Sequence, residues 1–308
     1  MGARHGGSVT SRRMLVLTAS PSPHALPGLV WDALAAGATT DEAATAAVEP
    51  APQPYRVADD AAVRAAIEQT AGAAAVVLGE GDLLLRPEIL DWIALARQGG
   101  AQAVAVETTG HILARRGAAA QLKAAGLTHV MVTLFGADAA SHDWITAADG
   151  AFSRALRGLK QARAAGLRTQ VLTPILRPTF RALPELVRRS LAIGVRGFEF
   201  RAPIGPDRKA HGLHPHLALA GPHVARAVQI AQAAKRSARI WGVPACALGE
   251  AAEATWARHG GQHTIDAATP TDGDRSRTQG EPCKTCAWTA HCGGPLENYG
   301  PGFAGLSP

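Results

Sequence analysis

Residues 124–132 read AAGLTHVMV, and residues 164–172 read AAGLRTQVL. The two stretches are near copies, and each describes a change of element. Alanines finish a helix, a glycine takes the left-handed cap, and an apolar run opens a strand. Continuous apolar runs such as His129–Phe135, HVMVTLF, suit strands buried on both faces. Strands of that kind, separated by amphipathic helices, imply a parallel sheet with right-handed crossovers.

The same alternation extends in both directions. Upstream lie apolar runs at Met14–Thr18, Ala74–Leu78 and Ala103–Val106, with helical spacing over Asp59–Gly72, Pro87–Arg97 and Ile112–Ala125. Downstream come the helix Ala151–Ala165, the strand Thr169–Thr173, the helix Ala182–Ile193, the strand Phe198–Arg201 and a last clear helix over Val224–Arg236. Six strand–helix units fit between Met14 and Arg236, too few for a complete eightfold barrel. The expected class is therefore α/β, as an open six-unit barrel or a doubly wound sheet.

The flanks read differently. Residues 1–13 are polar and are expected to be a flexible leader, 14–237 the barrel, and 238–308 a C-terminal extension. Ser11-Arg12-Arg13 ahead of Met14–Leu17 looks superficially like an export signal, but Pro21, Pro23 and Pro27 break the apolar run. Residues 37–57, rich in Ala, Thr and Pro, read as a loosely ordered connection. Ile240–Ala247 is expected to add an edge strand carrying Cys246, and 251–281, with its GDRSR, to be a surface excursion.

Composition narrows the function classes. The chain has 308 residues, 47% of them hydrophobic, and a formal net charge of +6 carried mostly by scattered arginines. No apolar run reaches the length of a membrane span, which points to a soluble, cytoplasmic protein. Aromatic residues make up only 5%, too few for a basic and aromatic nucleic-acid surface, whereas an acidic peptide or partner is compatible with the charge.

In a parallel α/β fold, chemistry gathers at the C-terminal ends of the strands. Those positions hold Glu80-Gly81-Asp82 after the second strand, Glu107-Thr108-Thr109 after the third, and Arg201 after the sixth. Glu80, Asp82 and Glu107 could face one mouth and hold a divalent cation for lyase or hydrolase chemistry; equally, they could cap helices or pair with Arg201. No lysine falls at a strand end, which disfavours Schiff-base chemistry. His211, His214 and His216 form a loop cluster that reads as solvent-facing.

All four cysteines lie in the last quarter of the chain: Cys246, Cys283, Cys286 and Cys292. A CxxC turn aims two thiolates at one centre, and the outlying cysteines complete a closed four-thiolate site. Zinc and a [4Fe–4S] cluster both accept such a site, and spacing alone leaves both open.

The runs LGEGDLLLRPEILDWIALARQGG (78–100), VETTGHIL (106–113), VTLFGADAASHDWITAADGAFSRALRGLKQARAAGL (132–167) and TPILRP (173–178) resemble the radical S-adenosylmethionine (radical SAM) superfamily. The cysteine tail ending CGG…Y adds a likeness to members with a C-terminal auxiliary cluster of the SPASM or twitch kind. The resemblance implies a six-unit partial TIM-like barrel and favours iron–sulfur over zinc at Cys246, Cys283, Cys286 and Cys292. It also exposes a departure. The family's CxxxCxxC loop follows the first strand, but Thr18–Gly28 contains no cysteine, and Pro21, Ala25 and Gly28 stand at the three ligand positions. The family's GGEP motif aligns with Glu80-Gly81-Asp82-Leu83. Glu80, Gly81, Asp82, Glu107 and Thr109 would thus be a vestigial S-adenosylmethionine site, with reductive cleavage lost. The expectation is a degenerate member that keeps only an auxiliary cluster and serves a competent radical enzyme, or holds a peptide.

Overall fold

The computed structural model describes residues 14–18, 60–73, 75–79, 82–202, 213–249, 264–266 and 279–289, together with 252, 292, 294 and 295. Its strands are β1 (Met14–Thr18), β2 (Ala75–Gly79), β3 (Ala103–Thr108), β4 (His129–Thr133), β5 (Arg168–Pro174), β6 (Gly197–Arg201), β7 (Ser237–Trp241) and β8 (Thr264–Asp266). The helices between them are α1 (Asp60–Glu68), α2 (Ile89–Gln98), α3 (Ala118–Ala124), α4 (Ala139–Thr146), α5 (Ala151–Ala164), α6 (Leu183–Ile193) and α7 (Leu217–Ala233).

Every strand pair is parallel, and the spatial order is β7-β6-β5-β4-β3-β2-β1-β8. Strands β1 to β7 therefore lie side by side in chain order. A doubly wound sheet reverses direction at a switch point, so this order decides for the half-barrel, with β1–β6 as its six units. β7 and β8 sit at the two ends of the ladder, which is open between them.

Alternation along each strand assigns the two faces. Val76, Leu78, Val104, Val106, Val130, Val132, Val171, Phe198, Phe200 and Ile240 lie buried in the main core beneath the helices. Their neighbours Val77, Ala105 and Met131 form a separate small cluster on the concave side. The ladder carries that parity onward, so Glu107, Thr133, Pro174, Glu199 and Arg201 share the concave face. Gly126 and Gly166 take φ of 111° and 79°, as the repeated AAGL stretches required.

Several boundaries depart from expectation. The helix expected over Ile112–Ala125 splits into a 3-10 turn, Ile112–Ala114, and α3, separated by a turn at Arg115–Gly117. α7 begins at Leu217, about two turns before the expected Val224, with Pro222 inside it. β7 ends at Trp241, so Cys246 is not on an edge strand but in the 3-10 turn Ala245–Ala247. Thr264–Asp266, read as part of a surface excursion, instead pairs with β1. The expected leader 1–13 and connection 37–57 lie outside the described residues.

Candidate functional site

At the C-terminal ends of β2, β3 and β6, the polar groups are matched to one another. Asp82, just after β2, accepts from Thr108 Oγ1 at 2.7 Å, from Thr109 Oγ1 at 2.5 Å and from the Thr109 backbone N–H at 3.2 Å. Thr108 Oγ1 in turn accepts from the Gly110 N–H at 3.0 Å. The carboxylate thus ties the end of β2 to the end of β3. Glu80 and Gly81 lie outside the described residues.

Glu107 accepts from Arg201 Nη2 at 2.7 Å and from Nη1 at 3.3 Å, and Arg201 Nε donates to Glu199. The three side chains come from β3 and β6, which span opposite parts of the concave face, and are mostly withdrawn from water, with Glu107 12% and Arg201 25% exposed. Burial alone would lower the Arg201 pKa, but Glu107 and then Glu199 outweigh it and push it up, so the guanidinium is a fixed positive charge. Of the expectations for Glu107, pairing with Arg201 is the one seen. Among the described residues, no three His, Cys, Asp or Glu side chains stand in a metal-holding arrangement.

The loop histidines divide. His214 is buried, against the solvent-facing expectation, whereas His216 is exposed at the start of α7. His211 is outside the described residues.

The four thiols share one region and form no disulfide. Two backbone N–H groups point at sulfur: Ala245 N–H to Cys292 Sγ and Trp288 N–H to Cys286 Sγ, both at 3.5 Å. Burial pushes the Cys246 thiol pKa up, and the fields of Cys292, Cys286 and Cys283 push it the same way; the Ala245 contact sets the Cys246 turn beside Cys292. Trp288 and Cys292 pack on the main core, and Gln279 Nε2 donates to the carbonyls of Thr289 and Cys292 at 3.2 and 2.7 Å. The thiols are half-buried, and no three of them stand in a metal-holding arrangement. A four-thiol donor set with N–H groups aimed at sulfur fits a thiolate-bound centre.

Gly221 in α7 sets the position of the Cys246 turn. A Cβ at that position would stand 1.8 Å from the Ala247 carbonyl oxygen, so α7 touches the turn backbone to backbone. No other residue type permits that approach.

The HDWIT and GAF residues act in support. Asp143 accepts from the N–H groups of Gly150 at 2.8 Å and Phe152 at 2.7 Å, which closes the loop onto the first turn of α5. His142 is buried between Phe135 and Phe152, with ring centroids 5.7 and 5.5 Å away, and its Nδ1 accepts from the Phe135 N–H at 3.2 Å. Burial lowers its pKa to about 4, and the ring stays neutral at physiological pH. Sequence reasoning gave α4 no helix, although Asp138, which accepts from the Ser141 N–H at 2.8 Å, is an N-cap signal that was there to be read.

Comparison with known proteins places this geometry. The model of the radical SAM superfamily matches residues 42–189. The AdoMet-dependent heme synthase of Nitratidesulfovibrio vulgaris (strain ATCC 29579 / DSM 644 / CCUG 34227 / NCIMB 8303 / VKM B-1760 / Hildenborough) is 26% identical over 148 residues, which is 48% of this chain and 40% of that protein. The chain thus matches only about two fifths of that relative's length. Native anSMEcpe with bound AdoMet and Cp18Cys peptide superposes over 92% of this chain and 89% of its own, with a TM-score of 0.56 and 12% identity. Streptococcus suis SuiB aligns over 75% of this chain and 49% of its own, with a TM-score of 0.48 and 8% identity. The likeness to anSMEcpe is one of fold. No described helix is long and apolar enough to cross a membrane.

Proposed function

We propose that this chain, whose residues 42–189 match the radical SAM superfamily and whose β1–β6 form the half-barrel of that fold, no longer performs the superfamily's own reaction and instead serves a competent radical enzyme. It holds a single [4Fe–4S] cluster of the auxiliary kind through Cys246, Cys283, Cys286 and Cys292. The observation that carries this reading is the partition of the cysteines: all four lie at one C-terminal site and none in the loop after β1, where the superfamily binds its catalytic cluster. A bound cluster would supply one-electron transfer or fix a substrate in place. The chain's own part is to bring Cys246 on its turn against α7, direct two N–H groups at sulfur, and dock Trp288 against the core.

The mouth of the barrel then serves as a holding surface for a peptide or another natural product. The concave face offers an apolar floor, Val77, Ala105 and Met131, beneath an ion-paired rim. S-adenosylmethionine fits it poorly, because Asp82 is engaged by two threonines and Glu107 by Arg201. The same engagement disfavours a metal-dependent lyase or hydrolase built on Glu80, Asp82 and Glu107 with a structural zinc tail. The working compartment is the cytoplasm, where thiols stay reduced.

The test is iron, zinc and acid-labile sulfide analysis on protein purified without oxygen, with its visible spectrum. About four irons and four sulfides per chain are expected. One zinc and no sulfide would make the tail a structural staple and sink the electron-relay role. Incubation with reductant and S-adenosylmethionine should release no 5′-deoxyadenosine.

A further inference from the structure

We infer that the end of the barrel opposite the mouth carries a docking groove for an acidic segment of a protein partner. This goes beyond the cluster-holding role and does not depend on it. Lys160, Arg163 and Ala164 end α5; Gly166, Leu167 and Arg168 lead into β5; Ile193 closes α6, and Arg196 precedes β6. Together they line a cavity of about 650 Å³. All of these positions lie at the N-terminal ends of the strands, and β5, with seven residues, separates them from the mouth by roughly 20 Å at about 3.3 Å per residue. A ligand bound here does not touch the mouth, so the groove is for attachment.

Its chemistry is one-sided. Among the described residues, four cations line it and no carboxylate does. Among the described residues, none of the four is ion-paired to an acid. α5 contributes no acid at all: its sequence AFSRALRGLKQARA carries Arg154, Arg157, Lys160 and Arg163. Lys123 reaches the rim, donating to the Gly166 carbonyl at 3.5 Å. The positive field extends inward: burial first, then Arg168 and Lys123, lower the pKa of half-buried His129.

Cations at helix C-termini have a simpler use, which is to offset the macrodipole. The ends of α5 and α6 together present about one negative charge, roughly half each, against four positive ones. About three positive charges are left over, more than helix capping accounts for.

The floor selects among anions. Leu167, Ala164 and Ile193 make it apolar, and among the described residues no aromatic ring lines it for base stacking, which disfavours nucleic acid. A short extended chain with several carboxylates matches both parts, its backbone and methylenes on the floor and its carboxylates on forked guanidinium donors. One of those donors is held in place: Arg163 lies over Gly194, where a Cβ would stand 2.7 Å from its Nε.

The test uses the full chain and a fluorescein-labelled hexaglutamate, read by fluorescence anisotropy. Binding is expected at low salt and should weaken as salt rises. The exposed double variant Arg163→Glu/Arg196→Glu should weaken it at least tenfold. Arg115→Glu/Arg226→Glu, which changes net charge equally at exposed sites elsewhere, should weaken it less than twofold. Equal loss in both variants, no binding at all, or an oligonucleotide or inorganic phosphate displacing hexaglutamate at lower concentration would each overturn the proposal. Iron content should match the parent in both variants, so failure here is distinguishable from failure of the cluster reading.

Discussion

The mouth of the barrel and the C-terminal thiol site differ in how their reactive groups are occupied. At the mouth, Asp82 answers two threonines, and Glu107 and Glu199 share Arg201. At the tail, the four thiols are half-buried and form no disulfide, and backbone N–H groups at 3.5 Å point at Cys292 Sγ and Cys286 Sγ. Charged groups already satisfied by their own chain hold strands together and have little left for a ligand. On the proposed reading, it is the four thiols that are left to bind something brought from outside. The contrast is why the tail, and not the mouth, is read as the retained centre.

The sharpest way to break that contrast is at the tail. Cys283→Ala/Cys286→Ala should lower bound iron from about four per chain to near zero, read by metal analysis and loss of visible absorption, while the far-ultraviolet dichroism of the barrel persists. Collapse of the barrel as well would make the thiols part of the folding core. At the mouth, Arg201→Met leaves two partly buried carboxylates without their shared partner. Removing one member of such a pair costs about 3–5 kcal/mol, so urea unfolding should show a loss of that size with iron content unchanged. A loss below about 1 kcal/mol would mean that the network is solvent-screened.

Between the two regions stands Gly221. Gly221→Ala forces α7 and the Ala247 carbonyl apart and should cost up to about 3 kcal/mol. Because that carbonyl adjoins Cys246, iron occupancy should also fall, which a purely structural contact would not produce.

The support behind the mouth gives the smaller effects. His142 titrates at about 4 when folded, below its ordinary 6.5, so its contribution is complete above the unfolded value and is lost as pH falls from about 6.5 toward 4. At pH 5 the loss is about 2 kcal/mol, and His142→Gln should remove that part of the pH dependence of urea midpoints. Unchanged slopes would mean that the ring is hydrated. Asp138→Ala should cost about 1 kcal/mol through loss of the α4 N-cap, visible as a small drop in Tm.

The half-barrel was legible in the sequence because its strands are continuous apolar runs and because α2, α3, α5 and α6 run out into glycine. The repeated AAGL stretches placed Gly126 and Gly166 at their left-handed caps and β4 and β5 within a residue or two. β8 escaped because three residues, Thr264–Asp266, carry no periodicity, and they are a strand only because β1 offers an edge. α7 starts seven residues earlier than expected, its first two turns held by the buried Leu217, Ala220 and Gly221 although Pro222 lies among them. At the site, residue type announced Cys246 and the tail cysteines, but the role of Gly221 was invisible, since a close approach between elements leaves no local pattern. The partner of Glu107, 94 residues along the chain, was named in advance only as one of several choices.

The pairing of β1 with β8 has a consequence for how the molecule comes together. Met14 meets Thr264 across about 250 residues of chain, whereas neighbouring units from β2 to β7 close over a few tens. Loop-closure entropy grows as the logarithm of length, so the distant pairing starts about 2 kcal/mol behind each local one. The ladder therefore assembles from the middle outward, and β8 arrives late. Cys283, Cys286 and Cys292 all follow β8, but fewer than 40 residues separate Cys246 from Cys283, so on the same argument their approach costs no more than a local strand pairing and does not wait for β8. On the proposed reading, the thiol site is therefore assembled independently of the β1–β8 edge, and a chain whose β8 has not yet docked is already competent to be loaded.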